Sequence, residues 1–298
     1  MHWPHARLHA TRVGGTFPLI GGIRPMSTAP EPVVRAPAHG SPVDAVIFDI
    51  NGTIIDIETE EWGRTTLRQI SRYMSYLGIN CGTSELIDLV RGGVRRQVEA
   101  STERHPELDA VALWRTVIDT LTNASCGDSS TSRSRLSWAS PIITDPDLAL
   151  HLAQLQRALS RRRLRPYPEV EEVLAALRPR YKLAIVSDAQ KAYARPELAE
   201  TGLSGYFDAI VVSGELGFRK PDRRIFDAAL SAVGTTADRA IFVGNDMHRD
   251  VFGPAQLGMR TIFTPTRIGD KDFPGAKPDY VAHNFGEVLD GVRRLAGR

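Results

Sequence analysis

Residues 44–53 read DAVIFDINGT. Four apolar residues in a row, Ala45 to Phe48, run straight into Asp49 and then into a turn at Gly52. A short, continuous apolar run bounded by turn residues is the pattern of a strand buried on both faces. An ionisable group at the end of such a strand lies at the carboxyl edge of the sheet, where open parallel sheets bind their ligands. Asp49 is therefore the first candidate for chemistry in the chain.

The pattern repeats outward from this point. Similar runs occur at residues 183–186, 209–212, 240–243 and 261–264. Helical stripes lie between them: Val170, Val173, Leu174 and Leu177 share one face, as do Ile225, Phe226, Ala229 and Leu230. Strands alternating with helices predict an α/β fold, a Rossmann-like parallel sheet covered on both sides. The rhythm breaks once, between Asp49 and Lys182, where the sequence is mostly helical in period. Leu67, Ile70, Met74 and Leu77 form one stripe and Leu86, Leu89, Val90 and Val94 a second, followed by helical stretches at 108–121 and 147–159. This predicts an inserted α-helical cap over residues 58–163, dividing the core into 43–57 and 164–298. Arg161, Arg162 and Arg163 are expected to end the last cap helix, where positive charge suits the dipole. The Ser/Thr/Arg-rich residues 125–140 are expected to be a loop.

Residues 1–42 differ from the rest. They contain seven prolines and a single acid, Glu31, and show neither period; they are expected to be a disordered extension. Met26 offers an alternative start. Of 298 residues, 42% are hydrophobic and 24% charged, with 37 Lys and Arg against 35 Asp and Glu. A net charge of +2 gives no basis for a nucleic-acid or polybasic membrane surface. Cys81 and Cys126 are too few for a disulfide framework, and no apolar run reaches the roughly 18 residues of a membrane span. A soluble protein of the reducing cytoplasm is expected.

The residues after each strand carry the functional signal. Beyond Asp49 these are Ser187 and Asp188, the run Gly217-Phe218-Arg219-Lys220-Pro221-Asp222, and Gly244-Asn245-Asp246-Met247-His248-Arg249-Asp250. A carboxylate to attack, a hydroxyl and an ammonium to hold phosphoryl oxygens, and acids to hold a hard cation such as Mg²⁺ make a set suited to phosphoryl chemistry.

The stretches VIFDINGTIID, LAIVSD, GELGFRKPDRRIFDAAL and IFVGNDMHRDVFGPAQLGM, in that order, resemble the haloacid dehalogenase-like hydrolase superfamily. RPYPEVEEVLAAL and KPDYVAHNFGEVLDGV support the likeness, which runs from Val43 to the end of the chain. The insert after the first motif is similar to the helical cap of the phosphoglycolate phosphatase and dehalogenase branch. The resemblance implies that Asp49 is a covalent nucleophile and that Ser187, Asp188 and Lys220 bind the phosphate of a small phosphorylated substrate. It also implies Mg²⁺ held by Asp49, Asn51, Asn245, Asp246 and Asp250, with Asn51 giving its backbone carbonyl.

Two positions depart from the family pattern. The phosphatases carry an acid/base aspartate where this chain has Asn51, and an amide does not titrate near neutral pH. Asn245 stands where many relatives have the first metal aspartate, so the acid pair is expected to shift by one residue, to Asp246 and Asp250. In the cap, Arg91 beside Gly92 and Gly93 is expected to contact an anionic substrate. Two alternatives stand beside this reading: a metal-independent dehalogenase on the same scaffold, against which Asp246 and Asp250 argue, and a binding or regulatory protein that has lost turnover, which Asn51 and Asn245 suggest. Monomer and homodimer are both compatible with the sequence.

Overall fold

The computed structural model describes residues 42–123 and 145–297. The expected extension, apart from Pro42, and the expected loop at 125–140 lie outside the described residues. The chain begins with β1 (Ala45–Phe48) and β2 (Ile55–Thr59), then four helices, α1 (Arg64–Tyr76), α2 (Thr83–Ala100), α3 (Ala110–Asn123) and α4 (Leu148–Ser160). It continues through β3 (Arg161–Pro166), α5 (Val170–Leu177), β4 (Lys182–Ser187), α6 (Ala194–Glu200), β5 (Ala209–Val212), α7 (Ser213–Leu216) and α8 (Arg223–Val233). The last elements are β6 (Ala240–Gly244), α9 (Gly253–Ala255), β7 (Arg260–Phe263), β8 (Tyr280–Val281) and α10 (Phe285–Leu295).

Six strands form one sheet in the order β5-β4-β1-β6-β7-β8, and every pair is parallel. β1 lies inside the sheet, with Phe48 opposite Ile185 of β4 and Val243 of β6. Period-two alternation sends its side chains to two cores. Val46 and Phe48 pack with Val170, Leu174, Phe285 and Val288 beneath α5 and α10, whereas Ile47 packs with Ile225, Phe226 and Ala229 beneath α8. Continuous apolar runs are therefore required, because both faces are covered. The chain runs from β1 to β4 and β5 on one side, then returns to β6 beside β1 on the other. That reversal opens a crevice at the carboxyl ends of β1, β4 and β6.

Helices α1 to α4 have a core of their own, with Leu67, Ile70, Met74, Val90, Trp114 and Leu152 buried together. An antiparallel ribbon of β2 and β3 joins them to the sheet. Here the chain differs from expectation. Arg161–Arg163 do not end α4 but open β3, because acids wait across the ribbon: Glu58 lies opposite Arg163 and Asp56 opposite Arg165. Arg163 pairs with Asp56 and Glu58 at 2.9 Å, Arg162 pairs with Glu60, and Arg161 reaches Glu200 of α6 at 2.7 Å. Among the described residues no helix is long and apolar enough to cross a membrane.

Candidate active site

Asp49 follows β1 directly, and its backbone N–H donates to Val243 O on β6 at 3.0 Å. Its side chain is buried, with its oxygens engaged from the end of β4, from the loop after α7 and from the turn that follows Asp49. Ser187 Oγ donates to Oδ1 at 2.9 Å, Lys220 Nζ donates to the same oxygen at 2.8 Å, and Thr53 Oγ1 donates to Oδ2 at 3.1 Å. Thr53 reaches back because the chain reverses at Gly52, whose φ of +83° is a left-handed conformation that favours glycine. A Cβ there would also stand 2.3 Å from Asn245 Nδ2, so the turn and the β6 end fit only without a side chain.

Lys220 is 3% exposed and lies between two carboxylates, with Nζ at 2.8 Å from Asp49 and 2.7 Å from Asp250. Burial opposes its charge, but Asp250 and Asp49 outweigh that and hold the ammonium above its usual range. The loop carrying Lys220 is fixed by Asp188, whose Oδ1 accepts from the Lys220 backbone N–H at 2.9 Å. Asp188 was expected at the substrate. It lines the cavity, but its other oxygen takes Arg249 Nη1 at 3.4 Å, so both oxygens position neighbouring cations.

The fourth cluster is shaped by a π-helical turn, Met247–Phe252. It brings Asp250 back under β6, where Oδ2 accepts the N–H groups of Asn245 and Asp246 at 3.0 Å each. Gly244 makes room: a Cβ on it would stand 2.3 Å from the Asp250 Cβ. Burial drives the Asp250 carboxyl upward, against the pull of Lys220.

The same turn sets Asp246 apart from the other residues of the expected metal set. Asp246 does not face the cavity. Its Oδ1 accepts the N–H groups of His248 and Arg249 at 3.1 and 2.8 Å, and its Oδ2 accepts Asp270 N at 2.9 Å and Arg249 Nη2 at 2.6 Å. Asp246 is the cap of the π-helical turn and the partner of Arg249. Despite its burial, that guanidinium holds its carboxyl down to about 2. Asn245 points inward instead, with Oδ1 accepting from Thr53 Oγ1 at 3.3 Å and Nδ2 donating to Thr266 Oγ1 and Ile268 O at 3.1 and 3.0 Å.

Asn51 lines the cavity, and its Oδ1 is buried with no hydrogen-bond partner. An orphaned amide oxygen beside a carboxylate is a ready acceptor for a ligand, a water or a hard cation. Among the described residues no three His, Cys, Asp or Glu side chains gather to hold a metal. The oxygens that suit Mg²⁺ are instead those of Asp49 and Asp250 together with the neutral oxygens of Asn51 and Asn245. Asp246, expected among them, gives its oxygens to four hydrogen bonds here.

Residues of the α1–α4 unit stand over this floor and with it line a partly open cavity of about 60 Å³, room for about four to six waters. Arg91 takes no part. It lies exposed on α2, one residue past Val90, while Val90 and Gly93 turn that helix's buried face to the cap core. The cap side is made by residues that sequence reasoning missed: Glu61, Trp62, Glu107, Gln156 and Arg157. Arg157 is buried between Glu61 and Glu197 and lies 4.5 Å over the Tyr193 ring. Gln156 joins Trp114 Nε1 to the Glu61 carbonyl. On the core side Gln190 donates to Glu107 Oε1 and Leu108 O, and Arg219 and Arg249 complete the wall. The acidic run at 56–61 against the arginine-rich run at 157–165 is the one sequence signal that could have revealed this seam.

A sequence model described as haloacid dehalogenase-like hydrolase matches residues 43–258. The chain is 36% identical over 130 residues to a phosphoserine phosphatase of Thermus thermophilus, covering 43% of this chain and 52% of that protein. It is 32% identical over 135 residues to a glyceraldehyde 3-phosphate phosphatase of Methanothermobacter thermautotrophicus, covering 44% and 58% respectively. The chain thus spans little more than half the length of these curated relatives. A solved 2-haloacid dehalogenase from Pseudomonas syringae shares the fold, with a TM-score of 0.60 at 23% identity, over 85% of this chain and 99% of that one.

Proposed function

The chain is a hydrolase of the haloacid dehalogenase-like family, and from that membership we propose that it hydrolyses a small phosphorylated metabolite of the cytoplasm through an aspartyl phosphate on Asp49. The observation that carries this reading is the convergence of Ser187 Oγ and Lys220 Nζ on one oxygen of a buried Asp49. A hydroxyl and an ammonium held within 3 Å of the attacking group lie where phosphoryl oxygens must be held during attack.

In the first step an Asp49 oxygen attacks phosphorus, and the bond from phosphorus to the leaving oxygen breaks. Ser187 and Lys220 leave their resting contact with Asp49 and donate to the phosphoryl oxygens. In the second step water attacks phosphorus, inorganic phosphate leaves, and Asp49 is restored. Mg²⁺ held by Asp49, Asn51, Asn245 and Asp250 would offset negative charge as phosphate and carboxylate approach. Asn51 has no proton to deliver to the leaving oxygen, which takes one from water; its unpartnered Oδ1 holds that water by accepting a hydrogen bond. Turnover is therefore slow with poor leaving groups and favours activated phosphates.

The position of Asp246 favours a second reading. With that acid turned away, Lys220 compensates the two acids at the floor, as a metal-independent attack of Asp49 on a halogen-bearing carbon would require. One experiment separates the two. The protein is incubated with Mg²⁺ and a panel of sugar phosphates, nucleotides, acyl phosphates and 2-haloacids. We expect phosphate release, abolished in Asp49→Asn and raised about 10²-fold or more for ester substrates in Asn51→Asp. Halide release that persists in EDTA establishes the dehalogenase instead, and the absence of both products refutes turnover at Asp49.

A further inference from the structure

Cleavage of a phosphate ester leaves an oxygen that needs a proton, and Asn51 has none to give. Among the described residues, the carboxyl groups that line the cavity are those of Asp49, Glu61, Glu107, Asp188 and Asp250. Four of them are paired with cations: Asp49 and Asp250 with Lys220, Asp188 with Arg249, and Glu61 with Arg157. Glu107 is bonded by neutral groups instead, and Arg219 bears on it by charge. Its Oε1 accepts from Gln190 Nε2 at 3.0 Å and Leu108 N at 2.9 Å, and its Oε2 accepts from Ser213 Oγ at 2.6 Å.

The surroundings of Ser213 suit a proton on this carboxyl. Ser213 Oγ accepts from Ala189 N at 3.0 Å and faces two acceptors, Glu107 Oε2 at 2.6 Å and Ala189 O at 3.4 Å, with one proton to give. A proton on Oε2 completes the set, because Glu107 then donates to Ser213 and Ser213 to Ala189 O. When that proton leaves, the Ser213 hydroxyl turns to Oε2, so both states of Glu107 are fully partnered. Burial and the charge of Asp188 favour the neutral acid and outweigh Ser213, Arg219 and Leu108, so the carboxyl lies above its usual range. The Tyr193 phenol, which also faces Glu107, is kept neutral by burial.

Glu107 is held beside the reaction. Its backbone N–H donates to Gly217 O at 3.0 Å, and its neighbour Pro106 bridges to Phe218, two residues before Lys220. It is half-buried in the wall of a cavity with room for only about four to six waters, so a leaving oxygen in line with Asp49 is a water or two from this carboxyl. We propose that Glu107 supplies the proton of the leaving oxygen, through the water that Asn51 holds, and recovers it in the second step. As the bond from phosphorus to the leaving oxygen breaks, that oxygen takes a proton from the water, the water takes one from Glu107 Oε2, and Ser213 donates to the carboxylate left behind. When water attacks the aspartyl phosphate, its proton passes to Glu107, Asp49 is restored and inorganic phosphate leaves. The transfer rests on the phosphatase reading; the neutral state of Glu107 does not.

The test has two arms. In the first, kcat/KM, which reports the steps up to departure of the leaving group, is compared for ethyl phosphate and acetyl phosphate. The two are of similar size, but ethoxide needs a proton to leave and acetate does not. Glu107→Gln keeps the shape of the side chain and its bonds to Ser213 and Gln190. It should lower kcat/KM about 10²-fold for ethyl phosphate and no more than about threefold for acetyl phosphate. Glu107→Asp should recover part of the loss. With ethyl phosphate, wild-type kcat/KM should decline as rising pH ionises Glu107, above the usual glutamate range, and Glu107→Gln should lack that decline. An equal fall with both substrates, or the same alkaline decline in Glu107→Gln, overturns the proposal while leaving the phosphatase reading intact. In the second arm, infrared difference spectra of wild type against Glu107→Gln are recorded without substrate as the pH is raised. The carbonyl band of a neutral carboxylic acid should persist to a pH at which an ordinary glutamate is ionised. Its absence there refutes the proton donor whether or not phosphate is released. The band with no phosphate release from either compound refutes the phosphatase reading, and the proton transfer with it.

Discussion

The floor and the roof of the cavity are built from the same kinds of side chain and behave oppositely. On the floor, Asp49 and Ser187 stand at the ends of β1 and β4 and Lys220 in the loop after α7, bonded to one another through a single carboxylate oxygen. Beside them the Asn51 amide oxygen has no partner. On the roof, Arg157, Glu61, Gln156 and Trp114 form a closed set in which each polar group already has its complement. The floor can exchange its internal bonds for bonds to a ligand; the roof has nothing to exchange. Polar burial thus serves reactivity in one region and the joining of cap to core in the other, and bonding capacity left unused distinguishes them better than residue type does.

Replacing Lys220 tests the floor most severely. Lys220→Met should leave Asp49 and Asp250 buried without their shared cation, costing roughly 3–5 kcal/mol of stability. It should also lower kcat/KM about 10³-fold or more through loss of the ammonium from the phosphate. Urea denaturation and steady-state kinetics report the two effects; a fall in stability alone would place Lys220 with the roof. Arg157→Met is the matching change there. It strands Glu61 and Glu197, 12% and 7% exposed at their side chains, and should cost about 3 kcal/mol. Below the melting temperature its kcat should fall far less than that of Lys220→Met, and a loss of equal size would erase the distinction.

The smallest effect is expected at Asp246, a floor residue by sequence and a structural one by geometry. Its carboxyl is held at about 2 against an ordinary 3.8, so between those values the folded chain binds fewer protons than the unfolded chain. The stability from its bond to Arg249 is therefore complete above about pH 4 and lost as the pH falls toward 2, amounting to roughly 2–3 kcal/mol. Urea midpoints measured from pH 5 to pH 2.5 should drop more steeply for wild type than for Asp246→Asn. Parallel slopes would mean that the pair with Arg249 contributes nothing.

What the sequence discloses follows the same division. The sheet was legible because strands buried on both faces must be continuously apolar, and Asp49, Ser187 and Lys220 were legible because each lies at or soon after such a run. The choice between Asn245 and Asp246 was not, since one residue of register in a π-helical turn decides which points inward. Arg91 misled for a related reason: a helix has two faces, and α2 turns Val90 and Gly93 inward. The ribbon of β2 and β3 was hidden by its charge, for an alternation of arginines reads as a solvated surface until the acids across from it are known. The roof was beyond reach because its bonds join residues about a hundred positions apart, as with Arg157 and Glu61.

The short bridge between Pro106 and Phe218 ties two parts of the chain together beside the site. On one side of Arg219 it joins the peptide to a cap loop, with Glu107 N bonded to Gly217 O and Arg219 N to His105 O; on the other side lies Lys220. Both backbone hydrogen bonds lie within three residues of the lysine. The loop that presents Lys220 to Asp49 is thus secured from the helical insert as well as from the sheet.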